Sequence, residues 1–241
     1  MGTQNVQILH HNIIGSTNTE AKTLAEKGCP EWTVVVADEQ TSGRGRTGKH
    51  WHSPPGGLWL SVVLRPNIPI PSLPLIQFYA ANSARRFLER TIGERIGVKW
   101  PNDLILGGLK LGGILVEARL VGRRIDFAVV GVGINLNIVP SLLPPGATST
   151  FKVTKRVLDQ DVMMEALLEE LRSSYPKLHD KQQIFREWWD HCVHQLKPVT
   201  VVGPEGPISG VSTGIGPSGE LLVTTPKGNT QEIAEGTILS L

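Results

Sequence analysis

Glycine alternates with long cations in Gly43-Arg44-Gly45-Arg46-Thr47-Gly48-Lys49, and no acid interrupts the run. Glycine lets a backbone approach a ligand closely and leaves an empty loop mobile. Guanidinium forks and a lysine point charge suit phosphate oxygens. The run therefore reads as a mobile loop that closes over a polyanion. A solvated surface loop, or a segment that binds single-stranded RNA, fits the same residues. It is not a Walker loop, because His50 follows Gly48-Lys49, and it is not a dinucleotide fingerprint, because no helix opens there.

Three further segments carry residues with chemical potential. In Lys99-Trp100-Pro101-Asn102-Asp103, Pro101 lacks an N–H and holds the chain before it extended, so Asn102 and Asp103 are presented at a strand break. An ordinary turn with Trp100 in the core is the alternative. In Lys110-Leu111-Gly112-Gly113, a lysine entering a strand beside two glycines can point its ammonium at a ligand held against the backbone. A surface hairpin lysine is the alternative. Gly131-Val132-Gly133-Ile134-Asn135 puts small residues inside an apolar strand, which implies close approach by a ligand or by another backbone. His191-Cys192-Val193-His194 has the look of a metal site. It lacks further ligands nearby and sits in a helix rich in Trp188 and Trp189, so it reads as a packing or surface segment, with Trp188 and Trp189 as interface or core aromatics between the two domains.

These segments need elements to hold them. Thr17-Asn18-Thr19-Glu20 has capping-box spacing, and Gly28 then Pro30 stop the helix predicted over 18–27. The β-branched run at 33–37 reads as a buried strand that delivers the chain to the glycine–arginine loop. Strands are expected at 58–64, 98–100, 104–106 and 114–118, with a turn at Gly107-Gly108. Another strand, marked by Ile125, Phe127 and Val129, runs on to Asn135. Helical spacing predicts helices over 72–91, 161–175 and 181–192. From Pro198 onward short strands alternate with Gly/Pro turns. The fold class is therefore α+β: a mixed sheet with helices over residues 1–195, then a small β-barrel over 196–241.

A chain of 241 residues, 40% hydrophobic and 19% charged, can bury a substantial core and is not compositionally disordered. The formal net charge is only +2, which argues against whole-molecule attraction to nucleic acid. No Asp or Glu occurs between Gln40 and Leu88, whereas Arg44, Arg46, Lys49, Arg65, Arg85 and Arg86 all do, so a local cationic field is expected. The two cysteines, Cys29 and Cys192, give no disulfide framework and suit a reducing cytoplasm. Residues 1–11 lack a signal-peptide pattern, and no apolar segment is long enough to span a bilayer.

Taken in order, these segments resemble the bacterial biotin protein ligases, the biotin–[acetyl-CoA-carboxylase] ligase family. Ser16-Thr17-Asn18 is similar to the family's helix-entry motif, and Gly43 to Gly48 with Trp51 to its adenylate-binding loop. Lys99 to Asp103, Lys110 to Gly113 and Gly131 to Asn135 match its remaining signatures. The resemblance implies a biotin/lipoate ligase-like catalytic domain with a C-terminal SH3-like barrel. It also implies activation of biotin by ATP, with Mg²⁺, to biotinyl-5′-AMP, and transfer to a lysine of a biotin carboxyl carrier protein domain. Some members begin with a winged-helix DNA-binding domain; Ser16 lies too near Met1 for one here, so a monofunctional form that does not bind DNA is expected. A homodimer is a further expectation from the family.

The resemblance also implies roles. Lys110 and Arg46 would gather charge at the reacting phosphate, and Arg44 and Lys49 would help close the loop. Ser16, Thr17, Asn18 and Gln40 would meet the ureido ring, with Gly43, Arg44, Gly45, Arg46, Lys110 and Gly113 completing the biotin contacts. Trp51, Asn102 and Asn135 would join Arg44, Arg46, Lys49 and Lys110 around the adenylate. Asp103 would orient or deprotonate the acceptor lysine. No metal site built from protein groups alone is expected. A lipoate–protein ligase of the same fold is the nearest alternative, and a non-catalytic RNA-binding module a more distant one.

Overall fold

The computed structural model describes residues 6–240; the expectations for residues 1–5 and 241 lie outside it. A seven-stranded sheet forms its centre, in the order β1-β2-β3-β7-β6-β5-β4. Its strands are β1 (Gln7–Ile14), β2 (Thr33–Gln40), β3 (Leu58–Leu64), β4 (Gly97–Lys99), β5 (Asp103–Leu106), β6 (Leu109–Val121) and β7 (Arg124–Ile134). Only β1 and β2 pair in parallel. Helix α1 (Thr17–Glu26) makes the crossover between them, the connection a parallel pair requires.

Each face of the sheet is covered. Ala21 and Ala25 of α1 pack with Val35, Val63, Phe127 and Val129 on one face. Helices α2 (Leu75–Ile92), α4 (Gln160–Ser174) and α5 (Lys181–Asp190) cover the other, where the large core gathers. β3 is buried along its whole length because both faces are covered. Arg85 and Arg86 of α2 pair with Glu187 of α5, and Arg86 and Arg90 pair with Glu170 of α4, which fastens the helical layer.

The second sheet is antiparallel, in the order β11-β10-β9-β8-β12, from β8 (Pro198–Gly203), β9 (Gly206–Ile215), β10 (Leu221–Thr224), β11 (Thr230–Ile233) and β12 (Thr237–Ser240). Its buried Val199, Val201, Leu221, Val223, Ile233 and Ile238 join the large core. No described helix is long and apolar enough to cross a membrane.

Several elements differ from the sequence expectations. β1 and the short α3 (Thr150–Thr154) were not expected. β6 runs over thirteen residues rather than five, because its start pairs with β5 and its residues from Gly112 to Val121 pair with β7. The helix expected over 72–91 begins at Leu75, after a separate 3₁₀ turn at Ile70–Ser72. The last helix stops at Asp190, where the chain turns to pair its residues 191–193 with Val98 at the edge of the sheet.

Candidate active site

The floor of the site is a row of glycines. Pairing across the sheet aligns Asp103 with Gly113, Gly113 with Gly133, and Gly133 with Trp59. In the next row on the same face, Leu115 faces Gly131 and Gly131 faces Ser61. A Cβ on Gly131 would stand 2.1 Å from Asn18 Oδ1, and one on Gly133 would stand 2.8 Å from Trp51 Nε1. The bare backbone thus lets α1 and the Trp51 indole sit directly on the strands.

At one end lies an uncharged polar array. Ser16 caps α1 and places Thr17 and Asn18 in its first turn. Gln40 Oε1 accepts from the Thr17 amide at 2.9 Å and from its hydroxyl at 3.1 Å. Ser61 Oγ lies 2.8 Å from Thr17 Oγ1 and 2.6 Å from Asn18 Oδ1. Asn18 Nδ2 donates to Glu117 Oε2 at 3.0 Å. Gln40 Nε2 donates to Ser53 Oγ at 2.8 Å. Buried polar groups need such partners to be tolerated, and here the partners form one continuous network.

The glycine–arginine segment is a folded hairpin rather than an open loop. Trp51 N donates to Gly43 O at 2.9 Å and Gly45 N to Lys49 O at 2.7 Å, around a 3₁₀ turn at Arg46–Gly48. Gly43 is a steric requirement of that hairpin, since its Cβ would lie 2.4 Å from Trp51 O, and it does not line the cavity. Arg44 Nη2 pairs with Glu117 Oε1 at 3.1 Å. Arg46 Nη1 donates to Gly236 O at 3.4 Å. Burial pulls the Arg46 pKa below the usual arginine value, while the carboxylates of Glu235 and Asp103 act in the opposite sense.

The other end is set by the turn at 99–103, whose Trp100–Pro101 peptide is cis. Asn102 Nδ2 donates to Ile114 O at 2.8 Å, which ties the turn to β6. Lys110 Nζ stands 2.6 Å from Asp103 Oδ1, a close ion pair, and 4.9 Å from the centre of the Trp51 ring, within cation–π range. Lys110 is clamped along its backbone, donating to Gly146 O and accepting from Thr148 N.

One cavity of about 400 Å³ unites these parts. Ser16, Thr17, Asn18, Gln40, Arg44, Gly45, Arg46, Lys49, Trp51, Asn102, Asp103, Lys110 and Gly113 all line it. Asn135, expected at the nucleotide, does not. Strand alternation would put it on the face of Gly131 and Gly133, but β7 ends at Ile134. The Asn135 amide is buried and donates to Thr148 O at 2.9 Å, so it braces the segment that clamps Lys110. Sequence reasoning did not single out Ser61, Glu117 or the C-terminal sheet, where Val202 and Gly203 of β8 and Glu235 and Gly236 of the turn before β12 close one wall. Ser61 had a signal: it is the only polar residue in the strand Leu-Trp-Leu-Ser-Val-Val-Leu. Among the described residues, no three His, Cys, Asp or Glu side chains gather as a metal cage.

Comparison with known proteins gives a consistent result. The biotin/lipoate A/B protein ligase family matches residues 11–135. The bifunctional ligase/repressor BirA of Bacillus subtilis is 32% identical over 228 residues, covering 92% of this chain and 70% of the relative. The biotin–[acetyl-CoA-carboxylase] ligase of Paracoccus denitrificans is 31% identical, with 88% and 92% covered. The structure of the Aquifex aeolicus biotin protein ligase in complex with biotin and ATP superposes with a TM-score of 0.80 at 28% identity, covering 96% of this chain and 97% of that one. The chain belongs to the biotin/lipoate A/B protein ligase family.

Proposed function

We propose that this protein is an ATP-dependent biotin–protein ligase, which makes biotinyl-5′-AMP and passes biotin to a lysine of a biotin carboxyl carrier protein domain. The observation that carries this reading is the polarity of the cavity. Uncharged donors and acceptors (Thr17, Asn18, Gln40) gather at one end, where the cation Arg44 is paired with Glu117, while Arg46 and Lys110 stand toward Asp103, and a glycine floor lies between them. A neutral urea is matched by neutral groups, and a phosphate by cations.

In the first step a biotin carboxylate oxygen bonds to the α-phosphorus of ATP, and the bond to pyrophosphate breaks. Two anions must meet, so cations fixed beforehand where charge gathers lower the barrier. Lys110 is held for this by Asp103, Trp51 and its backbone clamp, and Arg46 by Gly236. Mg²⁺ would arrive on the triphosphate, whose oxygens supply most of its ligands, and would neutralise charge there. The hairpin over the cavity excludes water from the mixed anhydride. In the second step a lysine amine of the acceptor bonds to the acyl carbon, AMP leaves, and the amine gives up a proton. Asp103 stands beside Lys110 at the cavity wall, placed to orient that amine.

Purified protein with ATP, Mg²⁺ and biotin should release pyrophosphate. Titration with biotin and with lipoate separates the two acids the family uses; tight lipoate binding without biotin binding would overturn the assignment. The RNA-binding reading predicts a steeply salt-dependent RNA affinity, and it gives no role to Lys110 or to the glycine floor.

A further inference from the structure

His194 lines no part of the cavity and is wholly buried, yet its side chain bonds both to the turn that follows β4 and to the C-terminal sheet. Its Nε2 lies 3.1 Å from the Trp100 amide nitrogen and its Nδ1 3.0 Å from Ser212 Oγ on β9. Ser212 Oγ in turn donates to the His194 carbonyl. These partners assign every proton. A backbone N–H can only donate, so Nε2 is the unprotonated acceptor, and Nδ1–H donates to the serine oxygen. Trp188 and Trp189 pack edge-on against the ring. Burial, with Lys99 and Lys197 nearby, pushes its pKa down to about 4, which keeps the acceptor form at neutral pH.

A second bond runs the same way: Trp100 Nε1 donates to Gly219 O at 3.2 Å. The residues just before the ring are stitched to the sheet edge, since Val98 N donates to His191 O and Val193 N to Val98 O. The turn at 99–103 thus hangs on the C-terminal sheet from one side and on β6, through Asn102, from the other. Asp103 and its partner Lys110 stand at the end of that turn.

We propose that His194 is a positioning residue, through which the C-terminal sheet sets where the Trp100–Asp103 turn, and with it the Asp103–Lys110 pair, stands in the cavity. The proposal rests on the ligase reading for its kinetic consequence, but not for its structural one. A displacement of about an ångström at a reacting group can cost on the order of a hundredfold in rate, so a lost tether should act on kcat while leaving biotin binding intact.

Three variants test it. His194→Phe keeps the ring and removes both bonds, His194→Gln restores an acceptor for the Trp100 amide, and Ser212→Ala removes only the serine. Amide hydrogen exchange should show faster exchange across residues 100–103 in His194→Phe, with protection regained in His194→Gln. Pyrophosphate release should show kcat lowered at least about tenfold in His194→Phe, biotin affinity within about twofold of the parent, and partial recovery in His194→Gln. Ser212→Ala should move both readouts in the same direction by less; should His194→Phe not fold, Ser212→Ala and His194→Gln carry the comparison. Unchanged protection of 100–103 in a folded variant that has lost the bond overturns the proposal, as does an unchanged kcat. Were the parent protein to release no pyrophosphate, the ligase reading would fail by itself, and exchange would still decide the tether.

Discussion

Arg44 reaches Glu117 across 3.1 Å, and Glu117 holds Asn18 with its second oxygen. One carboxylate therefore joins the hairpin over the cavity to the helix at its polar end. The pair is partly exposed, so its Coulomb energy is modest, but it also supplies the partner of a buried amide. Glu117→Ala should weaken biotin binding by roughly three- to tenfold and make the hairpin easier to cleave by protease. Glu117→Gln, which keeps an acceptor oxygen, should fall between. Calorimetric titration and limited proteolysis read the two effects, and no change in either would show that the bridge is incidental.

Arg46→Gly should leave the fold intact and release the adenylate early, because the hairpin loses its anchor beside the phosphate. Its signature is biotin on lysines of unrelated proteins added to the reaction. If that variant kept its adenylate as long as the parent does, the anchoring role would be refuted.

Lys110→Ala should slow adenylate formation by on the order of 10²–10³, the usual cost of removing one well-placed charge donor. It removes the cation 2.6 Å from Asp103, so Lys110→Ala,Asp103→Asn should be no worse than the single change in adenylate formation. Asp103→Asn alone should slow transfer to the acceptor more than pyrophosphate release. Single-turnover measurement of the two half-reactions distinguishes these outcomes, and equal slowing of both halves in Asp103→Asn would count against its role with the amine.

Acid should destabilise the protein through His194. Its pKa is about 4 in the folded state against 6.5 for an unhindered imidazole, so between these values the unfolded chain binds more protons. Stability from this group is complete above about pH 6.5 and declines as pH falls toward 4, by on the order of 3 kcal/mol. Thermal unfolding from pH 7 to pH 4 should show a shallower slope for His194→Gln than for the parent, and parallel curves would contradict this.

The parts of the fold that local pattern dictates were legible. The uniformly apolar β3, the capped α1 and the Gly/Pro-punctuated C-terminal strands follow from propensity and spacing. β1 escaped because Gln-Ile-Leu-His-His-Asn-Ile-Ile is a half-exposed edge strand with no strict alternation. The site residues on the chain's own motifs were legible by type. Their partners were not, since Glu117 meets Asn18 from 99 positions away and His194 meets Trp100 from 94, distances over which no local period carries information. Asn135 went astray for a related reason: alternation holds only while the strand lasts, and β7 ends one residue before it.

The cavity wall runs from Ser16 near one end of the chain to Ile238 near the other. The chamber therefore closes only once Ser16 and Ile238 have been brought together. Its assembly is a non-local event, with the loop-closure entropy of the intervening chain set against it before any ligand contact can offset that cost.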